Sequence, residues 1–313
     1  MPDTPPDPRS IPARPARISV VIPHLNQPEA LRRCLASLAS GRRAADEVII
    51  VDNGSATLPE AICAQFPGTQ LLHEPTPGPG PARNRGAARA MGDIIAFIDA
   101  DCIADPDWLA VAAREMADPV AEILGGDVRI ALADPQRITL TEAYESIYAY
   151  RMDRYIAQQG FTGTGNLVVR RAVLAAVGPF AGLAVAEDRD WGQRATRAGH
   201  RIRFVPDMRV YHPARADFAD LRRKWDRHSA HDFTAMASRP GGRIRWAART
   251  LAMAASPLVE IPRILLSDRI SGARARLLAS VGLVRIRLYR ARIMARLLIR
   301  GGADSLSGAW NRD

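Results

Sequence analysis

Two groups of carboxylates in this 313-residue chain have types and spacing suited to chemistry. Asp99 and Asp101 follow the apolar run Ile94-Ile95-Ala96-Phe97-Ile98. In extended backbone, residues i and i+2 point to the same side, so both carboxylates can share or bracket one divalent cation. Oxygen-only ligation suits Mg²⁺ or Mn²⁺ better than Zn²⁺. Asp105-Pro106-Asp107 and Asp188-Arg189-Asp190 have the same spacing, so the triplet alone decides nothing. What marks the first triplet is the buried strand that feeds it. The second group, Glu187, Asp188 and Asp190, stands at the start of a helix, near the glycine-rich segment Gly163-Thr164-Gly165-Asn166.

The elements that must position these groups follow from pattern. Ile18–Ile22 and Glu47–Val51 are short β-branched runs, read as buried strands, and a weaker strand follows at Thr69–His73. Pro28 suits the first turn of a helix, with Leu31, Cys34, Leu35 and Leu38 as its apolar stripe. The pattern predicts helices over Pro59–Gln65, Ala82–Ala90, Thr139–Gln158 and Arg171–Val177, and from Glu187 to Gly199. It predicts a strand over Glu122–Ile130 interrupted by Gly125-Gly126, and short strands at Leu167–Val169, Arg201–Val205 and Met208–His212. Strands alternating with helices imply right-handed βαβ units and a parallel sheet, and in open sheets of this kind ligands bind at the carboxyl ends of the strands.

Composition bounds the rest. Residues 213–313 carry 20 Arg or Lys against 8 Asp or Glu, a net charge of +12, whereas 1–212 stand at −2. The basic character therefore belongs to the C-terminal segment and suggests an anionic partner. Residues 274–300 alternate apolar residues with arginines, as a basic helix lying in a membrane interface does. Ile244–Leu266 is apolar but broken by charges and Pro262, so a membrane-crossing helix is rejected. Cys34, Cys63 and Cys102 lack paired spacing, which argues for a reducing compartment and against a zinc cluster. The Pro-rich start has no apolar core, so no signal peptide is expected. The expected organisation is a disordered leader at 1–16, an α/β catalytic domain at 17–212 and a basic helical, membrane-proximal extension at 213–313.

In order, the motifs Val20-Val21-Ile22-Pro23-x-x-Asn26, Glu47 to Ser55, Ala82-Arg83-Asn84-x-Gly86, Gly92 to Asp101, Gly165-Asn166-Leu167-x-x-Arg170-Arg171, Glu187-Asp188-x-Asp190 and Val210-x-His212 resemble glycosyltransferase family 2. The resemblance covers residues 18–212. It implies a GT-A (Rossmann-like) fold, a mixed and mostly parallel sheet flanked by helices, and an enzyme using nucleotide-diphosphate sugars. It puts Asp99 on the ribose and Asp101 on the metal, Mn²⁺ or Mg²⁺, with His212 as a further ligand. It gives Asp52 the imide N–H of uracil, against the alternative of an Asx-turn cap. Pro23 and Asn26 line the same pocket, where Leu25 stands in place of the stacking aromatic common in relatives. Arg83 is a nucleotide contact or a solvated helix residue.

A hydroxyl acceptor needs a carboxylate to take its proton. The resemblance assigns that base to Asp188, with Glu187 and Asp190 as rivals, in one inverting displacement. Trp191 and Asn166 are placed at the acceptor site, although Trp191 could equally pack inward. The implied activity is inverting transfer from a UDP-sugar to a polysaccharide or lipid-linked acceptor. It would take place in the cytoplasm, peripherally on the anionic inner face of the membrane, with no nucleic-acid partner expected. The alternatives are a nucleotidyltransferase, which would need a basic Gly-rich loop after the first strand, and a non-enzymatic basic membrane- or nucleic-acid-binding protein.

Overall fold

The computed structural model describes residues 16–183 and 185–300. The leader expected at 1–16 lies outside them but for Ala16. Along the chain run β1 (Ile18–His24), α1 (Pro28–Ala39), β2 (Glu47–Asp52), α2 (Glu60–Cys63), β3 (Thr69–His73) and α3 (Pro79–Arg89). Next come β4 (Ile94–Ile98), β5 (Ile103–Ala104), α4 (Trp108–Met116), β6 (Ile123–Ala131), α5 (Leu140–Tyr148) and α6 (Met152–Gln159). Then follow β7 (Asn166–Arg170), α7 (Arg171–Val177), α8 (Glu187–Arg197) and β8 (Ile202–Pro213). Four helices close the described chain: α9 (Phe218–Ala237), α10 (Gly242–Ala255), α11 (Pro257–Leu265) and α12 (Ala273–Arg300).

The chain divides into two compact units, Met1–Val128 with Arg151–Tyr211, and Arg129–Tyr150 with His212–Asp313. The expected partition of 17–212 from 213–313 differs from this at 129–150, which clusters with the C-terminal helices. The helix expected over Thr139–Gln158 breaks where the chain passes between units. Ala149 is extended and Tyr150 takes φ +50, a backbone that only a fixed surrounding sustains in a non-glycine residue.

The first unit is built on an eight-stranded sheet of order β3-β2-β1-β4-β7-β6-β8-β5. β1 pairs in parallel with β2 and β4, and β2 with β3, while β7 runs antiparallel to β4. β4 is buried along its whole length, as a two-sided apolar run requires. The stripe of α1 is buried at Leu31, Cys34, Leu35 and Leu38, as its spacing predicts. α3 begins earlier than expected, with Pro79 in its first turn.

β6 runs unbroken through Gly125 and Gly126. A Cβ on Gly126 would stand 2.2 Å from Asn166 Nδ2 and 2.2 Å from the Met208 carbonyl, so this glycine permits close strand approach rather than ending the strand. Residues 202–213 form one strand rather than two. β5, two residues long, is too short to leave a period.

The second unit is helical, and α12 packs against α5, α9, α10 and α11. Ala279, Leu283 and Ile286 are fully buried, and burying each large one contributes about 1.5–3 kcal/mol. Arg290 stacks on Trp225, 3.5 Å from its ring centre, and Arg285 on Phe218 at 4.5 Å. Burial, with Arg287 nearby, pulls the Arg290 pKa down to about 10. α12, expected as an interfacial helix, is thus also a core element of this unit, while Leu277, Leu288 and Ile299 remain exposed on it. Most of its apolar side forms this unit's own core, and arginines read as lipid-facing are spent on aromatic faces. Among the described residues no helix is long and apolar enough to cross a membrane.

Candidate active site

Because β1, β2 and β4 are parallel, their carboxyl ends share one edge of the sheet. β7 starts at that edge, since Asn166 pairs with Ile98. Asp52, Asp99, Asp101 and the loop Gly163–Gly165 therefore meet there. The approach is close: a Cβ on Gly165 would lie 2.6 Å from Asp99 Oδ2. A larger residue here would push this carboxylate from its place on Arg83, a reason for Gly165 that spacing does not reveal.

Arg83, on α3, is the hub of this edge. Its side chain is only 4% exposed, and its guanidinium donates to Asp99 Oδ1 at 2.6 Å and to Glu187 Oε1 at 2.8 Å. Burial opposes its charge, but Asp99 and Glu187 outweigh that and raise its pKa. Arg83 is thus neither on a solvated helix face nor directed at open space. It ties the start of α8 to the end of β4. A planar fork that cannot lose its proton is the group able to hold two carboxylates at once.

The three acids of α8 are sorted by their partners. Glu187 is held by Arg83, and Asp190 by Arg194 at 2.9 Å. Arg194 also donates to the carbonyls of Val177 and Pro179, which pins the loop after α7. Asp188 forms no salt bridge among the described residues, and its Oδ1 accepts only the neighbouring N–H of Arg189, at 2.6 Å. Burial first, and then the charge of Glu187, push its carboxyl pKa up. A raised carboxylate without a cation partner is the arrangement of a proton acceptor.

Asp52 has no exposed surface. Its Oδ1 accepts the backbone N–H of Gly54 at 3.1 Å and of Ser55 at 2.9 Å, the Asx-turn alternative weighed from sequence. Its Oδ2 stands 2.9 Å from His24 Nδ1, whose Nε2 accepts the N–H of Gln27. Nδ1 therefore carries the proton and donates to Asp52. Burial would raise the Asp52 pKa, but bonds from Ser55, His24 and Gly54 together hold it below the ordinary range. Asn26, with φ +51, accepts the Ala56 N–H through Oδ1, and its own N–H donates to Ser55 Oγ. The loops after β1 and β2 are knitted into one piece. Pro23 is half-buried at its base, and Leu25, 48% exposed, stands at its tip. His24 escaped sequence reading, although it pairs with Asp52 in the β1–β2 register.

The donor set at the end of β4 fits a hard divalent cation. Asp99 and Asp101 raise the pKa of the buried thiols Cys34 and Cys102, after burial itself, so the pair's negative field is felt beneath the edge. A cation at the carboxylates is the natural counter-charge. β8 pairs with β5 through Tyr211 and Ile103, and the chain then enters the second unit at His212. The His212 Nδ1–H donates to the Pro213 carbonyl at 2.7 Å, and the ring lies 4.6 Å from that of Tyr150. That tautomer puts the lone pair on Nε2, which accepts the Tyr150 hydroxyl at 3.1 Å.

Two acceptor assignments are corrected. Asn166 is fully buried: its Oδ1 accepts Trp108 Nε1–H at 2.8 Å, and its Nδ2 donates to the carbonyls of Asp127 and Met208. It joins β7 to β6, β8 and α4 and has no surface for a sugar. Asn166→Ala should lower unfolding stability by about 2–3 kcal/mol in denaturant titration, since it removes three buried hydrogen bonds. Trp191 is also buried, packs on Phe180 and donates to the Gly178 carbonyl at 3.0 Å. An indole inside the core cannot wall an acceptor. A shallow recess elsewhere, lined by Asp118, Glu122, Arg201 and Arg203, takes no part. Its acids are already met, by Arg203 and His200.

The model of the family described as "Glycosyl transferase family 2" matches residues 19–178. A similar relative is Glycosyltransferase AglE of Haloferax volcanii, 33% identical over 66% of this chain and 70% of its own. The pre-mycofactocin glycosyltransferase of Mycobacterium tuberculosis is 30% identical over 65% of this chain and 44% of its own. Among solved structures, the mannosyltransferase PcManGT from Pyrobaculum calidifontis, in complex with GDP-Man and Mn²⁺, superposes with TM-score 0.56. It is 18% identical over 96% of this chain and 89% of its own. TarS from S. aureus superposes with TM-score 0.51, at 18% identity, over 92% of this chain and 55% of its own. The mixed, mostly parallel sheet with flanking helices is thus the GT-A architecture.

Proposed function

The chain belongs to glycosyl transferase family 2, and from that premise we propose inverting transfer of a sugar from a nucleoside-diphosphate donor to an acceptor hydroxyl. The observation that carries the mechanism is the sorting of the α8 acids. Asp188, raised and without an arginine, takes the hydroxyl proton as the oxygen attacks the anomeric carbon from the face opposite the leaving diphosphate. Glu187 and Arg83 hold Asp188 in place against the donor-side Asp99. Asp101, with Asp99, would hold Mn²⁺ or Mg²⁺. When bound, that cation neutralises the diphosphate as it leaves.

The knitted loops after β1 and β2 carry the base, with Leu25 and Pro23 offering apolar surface. In this reading Asp52 shapes that seat from beneath, and a direct bond to uracil would require the turn to open. UDP-sugars are the first donors to test. The acceptor is a polysaccharide or lipid-linked hydroxyl, reached at the inner face of the cell membrane by peripheral attachment of the second unit, and nucleic acid is not a partner. A thermal-shift panel tests the reading. A nucleoside diphosphate should raise Tm only with Mn²⁺ or Mg²⁺, the linkage adding about 2.7 kcal/mol to the unfolding free energy at a hundredfold excess over Kd. Asp101→Ala should abolish that dependence. Failure of every diphosphate to stabilise the wild type would refute donor binding.

A further inference from the structure

α10 and α11 each present an outward side made of apolar residues. Ile244, Ala248, Leu251 and Ala255 recur at helical spacing on α10, and Leu258, Pro262 and Leu266 continue the pattern through α11 and just past its end. Ile244 is 78% exposed, Leu251 73%, Leu258 80% and Leu266 87%. Side chains of this size are seldom left in water in succession, and a run of them marks a surface that meets something apolar. The inward sides of the same helices are occupied by Trp246, Met253 and Ile264, so the outward residues are not a displaced core.

The charges along this face say what it meets. Between residues 242 and 266 stand Arg243, Arg245, Arg249 and Arg263 and a single acid, Glu260. Arg263 pairs with Glu260 at 2.7 Å, Arg249 with Asp232 at 2.9 Å, and Arg243 donates to the Leu298 carbonyl, so among the described residues Arg245 is the cation of this stretch that no such bond draws away. An apolar stripe flanked by arginines is the pattern of a helix lying in the headgroup boundary of an anionic leaflet. A second copy of the chain would bring the same arginines face to face.

We propose that the outward side of α10–α11, rather than α12, seats the protein on an anionic lipid bilayer. The proposal deepens the peripheral attachment named above and rests on it, but not on the transfer chemistry. α10 and α11, at 14 and 9 residues, lie in the leaflet without crossing it.

The test is co-sedimentation of the full chain with phosphatidylcholine vesicles and with vesicles that also contain phosphatidylglycerol. Binding should require the anionic lipid and weaken with salt. Leu251→Glu/Leu258→Glu should reduce the bound fraction at least about tenfold, because it places charge where apolar side chains enter. The variant's circular dichroism and Mn²⁺-dependent nucleotide shift should stay those of the wild type, which separates loss of docking from loss of fold or donor site. Arg245→Glu should weaken binding further at low salt than at high salt. Binding that survives the double substitution would overturn the assignment to this face while leaving attachment in place. No binding by the wild type would overturn attachment itself. A dimer in sedimentation velocity that the double substitution dissolves would give the face to a second copy instead.

Discussion

Asp188→Asn is expected to lower turnover by a factor of about 10²–10⁴, the ordinary contribution of a positioned general base, while donor binding stays intact. Asparagine keeps the shape of the side chain and cannot take the proton. The same substitution should leave Tm at neutral pH unchanged or raised. Burial and Glu187 lift the Asp188 pKa above its ordinary 3.8, so the folded chain holds that proton more tightly than the unfolded one. Its favourable contribution is complete below 3.8 and is lost as pH rises through the raised value, so at neutral pH the ionised acid opposes folding. Losing turnover while keeping stability distinguishes a base from a structural acid. The pH profile gives an independent check. Activity needs the ionised form, so kcat/KM should climb with pH through a midpoint above 3.8. Glu187→Gln should move that midpoint down, because it removes a negative neighbour. An unmoved midpoint, or an Asp188→Asn enzyme with near-normal turnover, would refute the assignment.

Arg83→Met should lose about 2–4 kcal/mol of stability and most of the transfer activity together. Removing one member of a buried ionic cluster leaves its partners uncompensated, at about 3–5 kcal/mol. Asp99 and Glu187 keep part of their hydration, at 33% and 20% exposure, and that places the expectation lower in the range. Methionine fills the volume of the stem, so the loss reports charge and hydrogen bonding rather than a cavity. Arg83→Lys should recover little, since one ammonium cannot donate in a fork to two carboxylates on different elements. Adding Glu187→Gln to Arg83→Met should restore part of the stability in denaturant titration but not the activity. If the two losses simply added, the ionic cluster would not be the source of the effect.

Local order left clear marks in the chain. Continuous β-branched and aromatic runs marked β1, β2 and β4, and a 3.6-residue period marked α1, because burial on both faces or on one stripe dictates residue type position by position. The acids at the ends of these runs were legible as chemistry for the same reason. Parallel strands bring their carboxyl ends to one edge, so Asp52, Asp99 and Asp101 had to share it. Where two elements meet without a period, the sequence was silent or misleading. Gly125-Gly126 looked like an interruption because the neighbours they admit, Asn166 and the Met208 carbonyl, are distant in the chain. Trp191 and Asn166 looked like ligand contacts because side-chain direction at a helix start or strand start depends on packing.

What the sequence alone determined is the order of the elements from β1 to β4, the family, and a metal-suited carboxylate pair at the end of β4. What only the tertiary structure decided is which acid is left to act. Glu187, Asp188 and Asp190 are nearly equivalent by position; Asp190 is taken by Arg194 one turn on in the same helix, and the choice between Glu187 and Asp188 comes from Arg83, brought by α3. Charge pairing is a property of distance in space, and a distance of 2.8 Å between residues 104 positions apart leaves no trace in local pattern.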